Sequence, residues 1–159
     1  MKRFIFFLLA GIAAVITVSA CGAANRATED DEALVQQKLA DKDYSIYIQL
    51  MIPTMGPARA VSNYSVQVKG DTLVSYLPYF GRAYNLPYGG GKGLDFTAKI
   101  NTYHDIATTG GGHDIAIGVA NDEDVFFYTI NITANGSAFI SVSSRNREKI
   151  SYTGEMYLP

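Results

Sequence analysis

Apolar and polar residues alternate along most of the chain from Tyr44 onward. In eight stretches the apolar residues recur at every second position, and runs rich in Gly, Asn and Asp separate several of these stretches. A period of two is typical of a β-strand with one buried face, and the separating runs favour turns. The predicted strands are Tyr44–Ile52, Tyr64–Lys69, Thr72–Leu77, Leu94–Thr108, Ile115–Val119, Phe126–Ile132, Ala138–Val142 and Ile150–Leu158.

The order of these strands predicts the fold class. Strands that follow one another through short turns, without helical crossovers, form an antiparallel meander. Eight strands are enough to close into a small barrel, and closure removes the exposed strand edges that promote aggregation. We therefore predict an all-β, lipocalin-like barrel, with a two-sheet β-sandwich as the alternative.

One short helix is predicted ahead of the strands. Thr28 is a suitable N-cap, and Glu29, Asp30 and Asp31 follow it in the first turn, where the helix dipole favours negative charge. The helix should end near Asp41. Its narrow apolar stripe predicts light packing against the sheet.

The Asn135-Gly136 turn between two of the strands has two alternative lengths. A two-residue loop would place Ile130 opposite Ser141, which mixes apolar and polar residues on one face. A three-residue loop with Gly136 in the left-handed conformation places Ile130 opposite Ile140. We predict the three-residue loop.

The first 20 residues have the layout of a secretory signal peptide. Lys2-Arg3 is basic, the run from Phe4 to Val18 is largely apolar, and small residues precede Cys21. An uncut membrane anchor would need about 20 apolar residues, more than this run offers. Ordinary cleavage after Ala20, which leaves a free thiol at Cys21, is the closer alternative.

The sequence Val18-Ser19-Ala20-Cys21 resembles the lipobox of bacterial lipoproteins. The resemblance implies that the Cys21 thiol is diacylated, that the leader is cut before Cys21, and that the new amino terminus is acylated. A lone cysteine cannot form an internal disulfide, which leaves a free thiol without a role in an oxidising compartment. Three acyl chains hold a protein stably on a membrane. Because position 22 is Gly rather than the Asp that retains such lipoproteins in the inner membrane, the outer membrane, facing the periplasm, is favoured.

These signals divide the chain into a lipoprotein signal peptide (1–20), a lipidated tether (21–28) and a single β domain with its helix (29–159). A domain of this size is typical of one core. Loss of Lys2 and Arg3 changes the formal charge from −2 to −4. Nucleic acid is therefore not an expected partner, since phosphate binding needs a concentrated basic surface.

A tyrosine-rich connection spans residues 76–93, in a chain with 11 Tyr and no Trp. Long loops in compact domains are often functional. One interpretation is a connection packed by its own tyrosines over one end of the barrel. Two functional hypotheses use the same residues: a barrel mouth that binds a small amphipathic ligand, or a surface through which a structural or assembly lipoprotein contacts an envelope protein. The candidate contact residues are Tyr76, Tyr79, Arg82, Tyr84, Tyr88 and Lys92.

Other chemistry finds little support. The glycines of the same segment miss the phosphate-loop pattern, because Leu86 and Gly93 occupy two of its required positions. Two His-Asp pairs begin at His104 and His113, but a turn centred on the three glycines would place His104 opposite residue 118 and the histidines about 17 Å apart. No metal site and no cofactor are predicted. The chain has neither a G-x-S-x-G nor an H-E-x-x-H motif, so no catalytic residue and no enzyme activity are predicted.

Several segments resemble domain of unknown function 4251, and together they extend over nearly the whole mature chain. The resemblance implies a lipocalin-like barrel, a lipoprotein of Gram-negative gut bacteria and no assigned activity. The segments are Val68-Lys69-Gly70-Asp71-Thr72-Leu73, the run from Ser75 to Tyr84, the run from Pro87 to Leu94, and Ile150-Ser151-Tyr152-Thr153-Gly154-Glu155-Met156.

Overall fold

The computed structural model describes residues 29–85 and 91–159. The predicted signal peptide, Cys21, the tether and Tyr88 lie outside the described residues. The elements are one helix, α1 (Glu29–Ala40), and eight strands: β1 (Asp43–Pro53), β2 (Arg59–Lys69), β3 (Thr72–Leu77), β4 (Leu94–Ala107), β5 (His113–Ala120), β6 (Val125–Ile132), β7 (Ser137–Ser144) and β8 (Ile150–Met156).

The strands form a closed antiparallel barrel. Each strand pairs with the next one along the chain, and β8 pairs back with β1. The closing pair runs from Ile46 opposite Met156 to Pro53 opposite Ile150. The predicted meander and barrel are confirmed, and the two-sheet sandwich is wrong.

The two ends of the barrel differ in what covers them. At the helix end, α1 precedes β1 and buries Val35 and Leu39 in the same core as the inward side chains of the strands. At the loop end lie the connections 54–58, 121–124 and 145–149, together with residues 78–85 and 91–93. The tyrosine-rich connection therefore belongs to the loop end.

The turn at Asn135-Gly136 has the predicted three-residue form. Ile130 lies opposite Ile140, and Ile132 lies opposite Ala138. Gly136 has a φ of 82°, a left-handed conformation that suits glycine. The register prediction is confirmed because only this loop keeps isoleucines opposite each other on the inner face.

The alternation predicted through the whole of β1 is wrong in its second half. The pairing shifts between Ile48 and Leu50, on both sides of the strand. A β-bulge adds one residue and reverses the faces that follow it, so Met51 is buried whereas Leu50 is partly exposed. β8 passes so close to the bulge that a Cβ at Gly154 would overlap the Tyr47 carbonyl.

The predicted register of the β4–β5 hairpin is also wrong, by two residues. His104 lies opposite Ala116, and His113 lies opposite Ala107. Pairing continues to the residues next to the loop, where the Thr108 amide donates to the Gly112 carbonyl over 2.8 Å. The turn is thus centred on Gly110 rather than one residue later, which brings the two histidines to positions three pairs apart.

Candidate functional site

The lumen of the barrel is crossed by side chains that meet one another. The Tyr128 hydroxyl of β6 donates to Ser75 Oγ of β3 over 2.9 Å, and Ser75 Oγ donates in turn to the Leu94 carbonyl over 2.7 Å. Burial raises the pKa of Tyr128, so its hydroxyl remains a hydrogen-bond donor. This chain of bonds joins two walls of the barrel that are not neighbours in the sheet.

Aromatic rings fill the levels above and below this bond. Phe96 of β4 stacks on Phe126 of β6, with ring centroids 4.7 Å apart. Nearer the helix end, the hydroxyls of Tyr44 and Tyr103 lie 3.4 Å apart, and burial raises the pKa of both. An eight-stranded barrel is just wide enough for side chains to fill, and here they do so at three levels.

The loop end closes the barrel with a fixed arrangement that we call the roof, residues 78–85 and 91–93. Tyr79 Oη lies 2.8 Å from the Arg82 carbonyl and 3.0 Å from the Glu148 carbonyl, and its single proton serves both. Beneath the roof, Tyr152 of β8 donates to the Pro78 carbonyl over 2.7 Å. The gap between Tyr79, the lumen and the 145–149 connection is too narrow to admit a water molecule.

A buried ion pair supports one side of the roof. Arg147, whose side chain is 6% exposed, lies 3.6 Å from Glu123 and over the Tyr79 ring at 5.5 Å. Glu123 also accepts a hydrogen bond from the Lys92 amide over 3.1 Å. Within the described part of the chain, Arg147 Nε and Ser144 Oγ are buried without a hydrogen-bond partner. The carboxylate therefore joins three connections of the loop end.

The structure separates the candidate contact residues into three groups. Tyr79 is part of the roof's internal structure, and Tyr76 lies on the outer wall of β3, where its ring packs on Tyr64 at 5.1 Å. Arg82 and Tyr84 are exposed on the roof, with Tyr84 68% exposed. Lys92 is exposed beside Glu123. Tyr88 lies in the 86–90 segment, outside the described residues.

Sequence reasoning missed three residues of this surface: Arg59, Phe80, and Tyr64, whose ring packs on Tyr76. Arg59 places its guanidinium over the exposed Phe80 ring, 4.2 Å from the centroid. Phe80 stands in the tyrosine-rich segment and its aromatic character was a usable signal. Arg59 gave none, because β2 begins there and not at Tyr64 as predicted. We use the name loop-end surface for Arg59, Tyr64, Tyr76, Phe80, Arg82 and Tyr84.

Charge is distributed unevenly between the two ends. Among the described residues, no carboxylate lies within ion-pair distance of the Arg59 or Arg82 guanidinium, although Glu148 accepts a hydrogen bond from the Arg82 amide over 3.2 Å. The helix end is more acidic, since the first turn of α1 alone contributes four carboxylates. The acidic residues of the helix end are Glu29, Asp30, Asp31, Glu32, Asp41, Asp43, Asp71, Asp105, Asp114 and Glu155, against Lys38, Lys42, Lys69 and Lys99.

Open space is found on the outer wall of the barrel at the helix end. A groove of about 470 Å³ runs along β1 and β8, with Gln49 and Glu155 among its lining residues. Tyr47 and Tyr157 flank it, edge to face at 6.1 Å. This groove lies at the end of the barrel opposite the predicted mouth.

Two further properties concern residues 29–85 and 91–159, the described part of the chain. In these ranges no group of three His, Cys, Asp or Glu side chains is arranged to hold a metal ion. Across the same ranges, no helix is both long and apolar enough to span a membrane.

The fold and the filled lumen define a small closed antiparallel β-barrel capped by one helix. The family model described as domain of unknown function (DUF4251) matches residues 26–156, and the chain belongs to this family. The barrel is similar to the crystal structure of a DUF4251 family protein from Bacteroides eggerthii, at 12% identity and a TM-score of 0.58, over 80% of this chain and 87% of that one. The search of curated proteins finds no match.

Proposed function

We propose that the protein is a lipid-anchored lipoprotein of the cell envelope that binds a protein partner through the loop-end surface. The observation that carries the proposal is the filled lumen. Tyr128 and Ser75 meet across it, and the gap between the lumen and Tyr79 of the roof is too narrow for water. A small amphipathic ligand, the other hypothesis for the same residues, would need to displace these contacts.

The composition of the loop-end surface supports protein recognition. Tyr and Arg are enriched among the residues that dominate binding energy in protein interfaces. Here an aromatic pair, Tyr64 with Tyr76, and a cation–π pair, Arg59 with Phe80, are exposed or half-buried on the barrel. Preordered rings lose little conformational freedom on binding. Unpaired Arg59 and Arg82 favour a partner with acidic side chains around an apolar patch.

The anchor would place this surface away from the membrane. Lipid on Cys21 is followed by the short tether, which reaches at most about 25 Å when extended. The tether enters α1 at the helix end, so the membrane would lie on that side of the barrel. The loop end, at the opposite side of the barrel, would then face the aqueous space and envelope proteins. We place the protein on the outer membrane, facing the periplasm.

Mass analysis tests the anchor. Protein extracted from membranes should carry three acyl chains on a mature chain that begins at Cys21. The Cys21→Ser variant should be released in soluble form or remain an uncut precursor. A soluble wild-type protein with a free thiol at Cys21 would contradict this part of the proposal.

Site-specific photo-crosslinking in cells tests the surface. A photoreactive residue at Tyr84 should give a crosslinked band of one discrete mass, because this side chain is 68% exposed at the loop end. Ile106 is the matched control, since it is 66% exposed but lies at the helix end. Adding Arg82→Glu should abolish the Tyr84 band. Equal bands from both positions, or none from Tyr84, would contradict binding through the loop end.

A further inference from the structure

His113 joins the helix to the barrel through both nitrogens of its ring. Nδ1 lies 2.6 Å from Asp105 Oδ1 of β4, and Nε2 lies 2.8 Å from Gln36 Oε1 of α1. The His113 side chain is only 11% exposed, whereas its two partners lie at the surface. The ring is therefore the bridge between the helix and the β4–β5 hairpin.

A second hydrogen bond fixes which atom of Gln36 faces the ring. Gln36 Nε2 donates to the Gly111 carbonyl over 3.0 Å. Turning the amide over would set its oxygen against that carbonyl oxygen, and the hydrogen bond would be lost. The amide oxygen must consequently face His113, where it can only accept.

We infer that His113 is a proton-operated latch that holds the first half of α1 on the barrel. Asp105 as a carboxylate and the Gln36 oxygen are both acceptors, so both ring nitrogens must donate. Only the imidazolium carries a proton on each nitrogen. Its positive charge also strengthens the bond to Asp105.

Loss of one proton breaks this arrangement. A neutral ring keeps its proton on Nδ1 for Asp105, and Nε2 becomes an acceptor that faces the Gln36 oxygen. Gln36 must then turn over and lose Gly111, or move away from the ring. Helix docking is therefore coupled to the proton on Nε2, and it should be stronger when the ring carries both protons than when it carries one.

The latch acts on one half of the helix. Apart from the latch, α1 is held by buried Val35 and Leu39 and by the Gly70 amide, which donates to the Lys42 carbonyl over 2.8 Å. Release should therefore loosen residues 29–34, ahead of Val35, while the rest of the helix remains docked.

The charged and titratable groups around the ring are few in the described structure. β6 contributes Ile132 at the position paired with His113. Asp114 faces outward and accepts from Asn131 over 2.6 Å. The remaining groups are Asp105 with Tyr103 and Tyr44 near it, Lys42, whose ammonium lies over the Tyr103 ring at 4.4 Å, and Glu32 beside Gly111.

Two measurements on the mature lipidated protein in detergent micelles test the latch. Nitrogen NMR of the ring should show both His113 nitrogens protonated at pH 5.5. Hydrogen–deuterium exchange of α1 peptides, corrected for the intrinsic effect of pH on exchange, should be about tenfold faster at pH 8.5 than at pH 5.5. The exchange of the barrel strands should not change.

Variants distinguish an effect of pH that acts through His113 from a general effect of pH on the structure. His113→Phe should make the exchange of α1 independent of pH, and Asp105→Asn, which removes the carboxylate from Nδ1, should weaken the pH dependence while the barrel stays folded. His104→Gln is the matched control, since His104 is exposed on the same hairpin. It should leave the pH dependence unchanged.

Two outcomes would overturn the inference. One is a His113 ring with a single protonated nitrogen at pH 5.5 while α1 is docked. The other is α1 exchange in the wild-type protein that does not change with pH, or that loses its pH dependence in His104→Gln. Neither outcome bears on the loop-end surface, so the latch and the proposed function fail independently.

Discussion

Tyr128 and Ser75 meet in the middle of the lumen, where the tyrosine hydroxyl donates to Ser75 Oγ over 2.9 Å. They belong to β6 and β3, two strands that do not pair with each other. Their contact packs side chains across the middle of the barrel interior. Under the proposed function, recognition takes place on the outside of the barrel.

Removing one or the other partner of this hydrogen bond should lower the free energy of unfolding by different amounts. Ser75→Ala leaves both the Tyr128 hydroxyl and the Leu94 carbonyl without this hydrogen-bond partner, so it should lower the free energy of unfolding by about 2 kcal/mol. Tyr128→Phe leaves Ser75 bonded to Leu94 and should cost about 1 kcal/mol. Urea unfolding with an unchanged slope measures both values. A larger cost for Tyr128→Phe would show that the lumen is not packed as described.

Alkaline pH should destabilise the barrel through its interior tyrosines. Burial raises the pKa of Tyr44, Tyr128 and Tyr152. Above about pH 10 the unfolded chain loses tyrosine protons that the folded state retains, so stability falls with rising pH by about 1.4 kcal/mol per pH unit for each tyrosine. Below that pH these groups contribute no pH dependence.

Unfolding curves measured at intervals from pH 9 to 11.5 check this expectation. Tyr128→Phe should reduce the slope of stability against pH. Tyr157→Phe is the control, because Tyr157 is exposed, and it should leave the slope unchanged. Equal slopes for both variants would count against a buried Tyr128 hydroxyl.

Substitution by alanine should lower stability by different amounts at two glycines. At Gly154 a Cβ would overlap the Tyr47 carbonyl across the β1 bulge, and Gly154→Ala should cost about 3 kcal/mol or more. At Gly70, φ is 59° and nothing lies within 4 Å of a Cβ, so Gly70→Ala should cost about 1 kcal/mol from backbone strain alone. Thermal unfolding of the two variants tests the order. Equal losses would mean that β1 and β8 do not approach so closely at the bulge.

Removing the acid of the buried ion pair at the loop end should lower the stability of the protein more than removing the base. Glu123→Gln leaves the Arg147 guanidinium buried without a counter-charge and should lower stability by about 3 kcal/mol. Arg147→Met removes the charge and its unbonded Nε together and should cost less, since Glu123 retains some contact with water. Urea unfolding ranks the two variants. The reverse order would contradict a buried guanidinium.

Local patterns were sufficient to predict the barrel. Alternating residues marked every strand, and the isoleucines at 130 and 140 selected the length of the Asn135-Gly136 turn, because a shift by one residue would have turned one set outward. Strand number and the absence of crossovers then predicted closure.

Contacts between residues far apart in the sequence could not be predicted from local patterns. The β1 bulge depends on how closely Gly154 of β8 approaches, which no pattern within β1 indicates. The Arg59–Phe80 contact joins the start of β2 to the roof, and the bridge from Gln36 to His113 spans 77 positions of the chain. Tyrosine abundance drew attention to the right segment but could not tell Tyr79, which is internal to the roof, from Tyr84, which is free to contact a partner.

Native mass spectrometry of the mature protein, extracted gently from its own host, tests the central claim most directly. A filled lumen predicts the mass of the lipidated chain alone or with a protein partner, and the partner should be lost in Arg82→Glu and retained in the control Ile106→Ser. A discrete small-molecule adduct that persists in the wild-type protein and disappears in a variant with an altered lumen, such as Ser75→Phe shown to be folded, would contradict it.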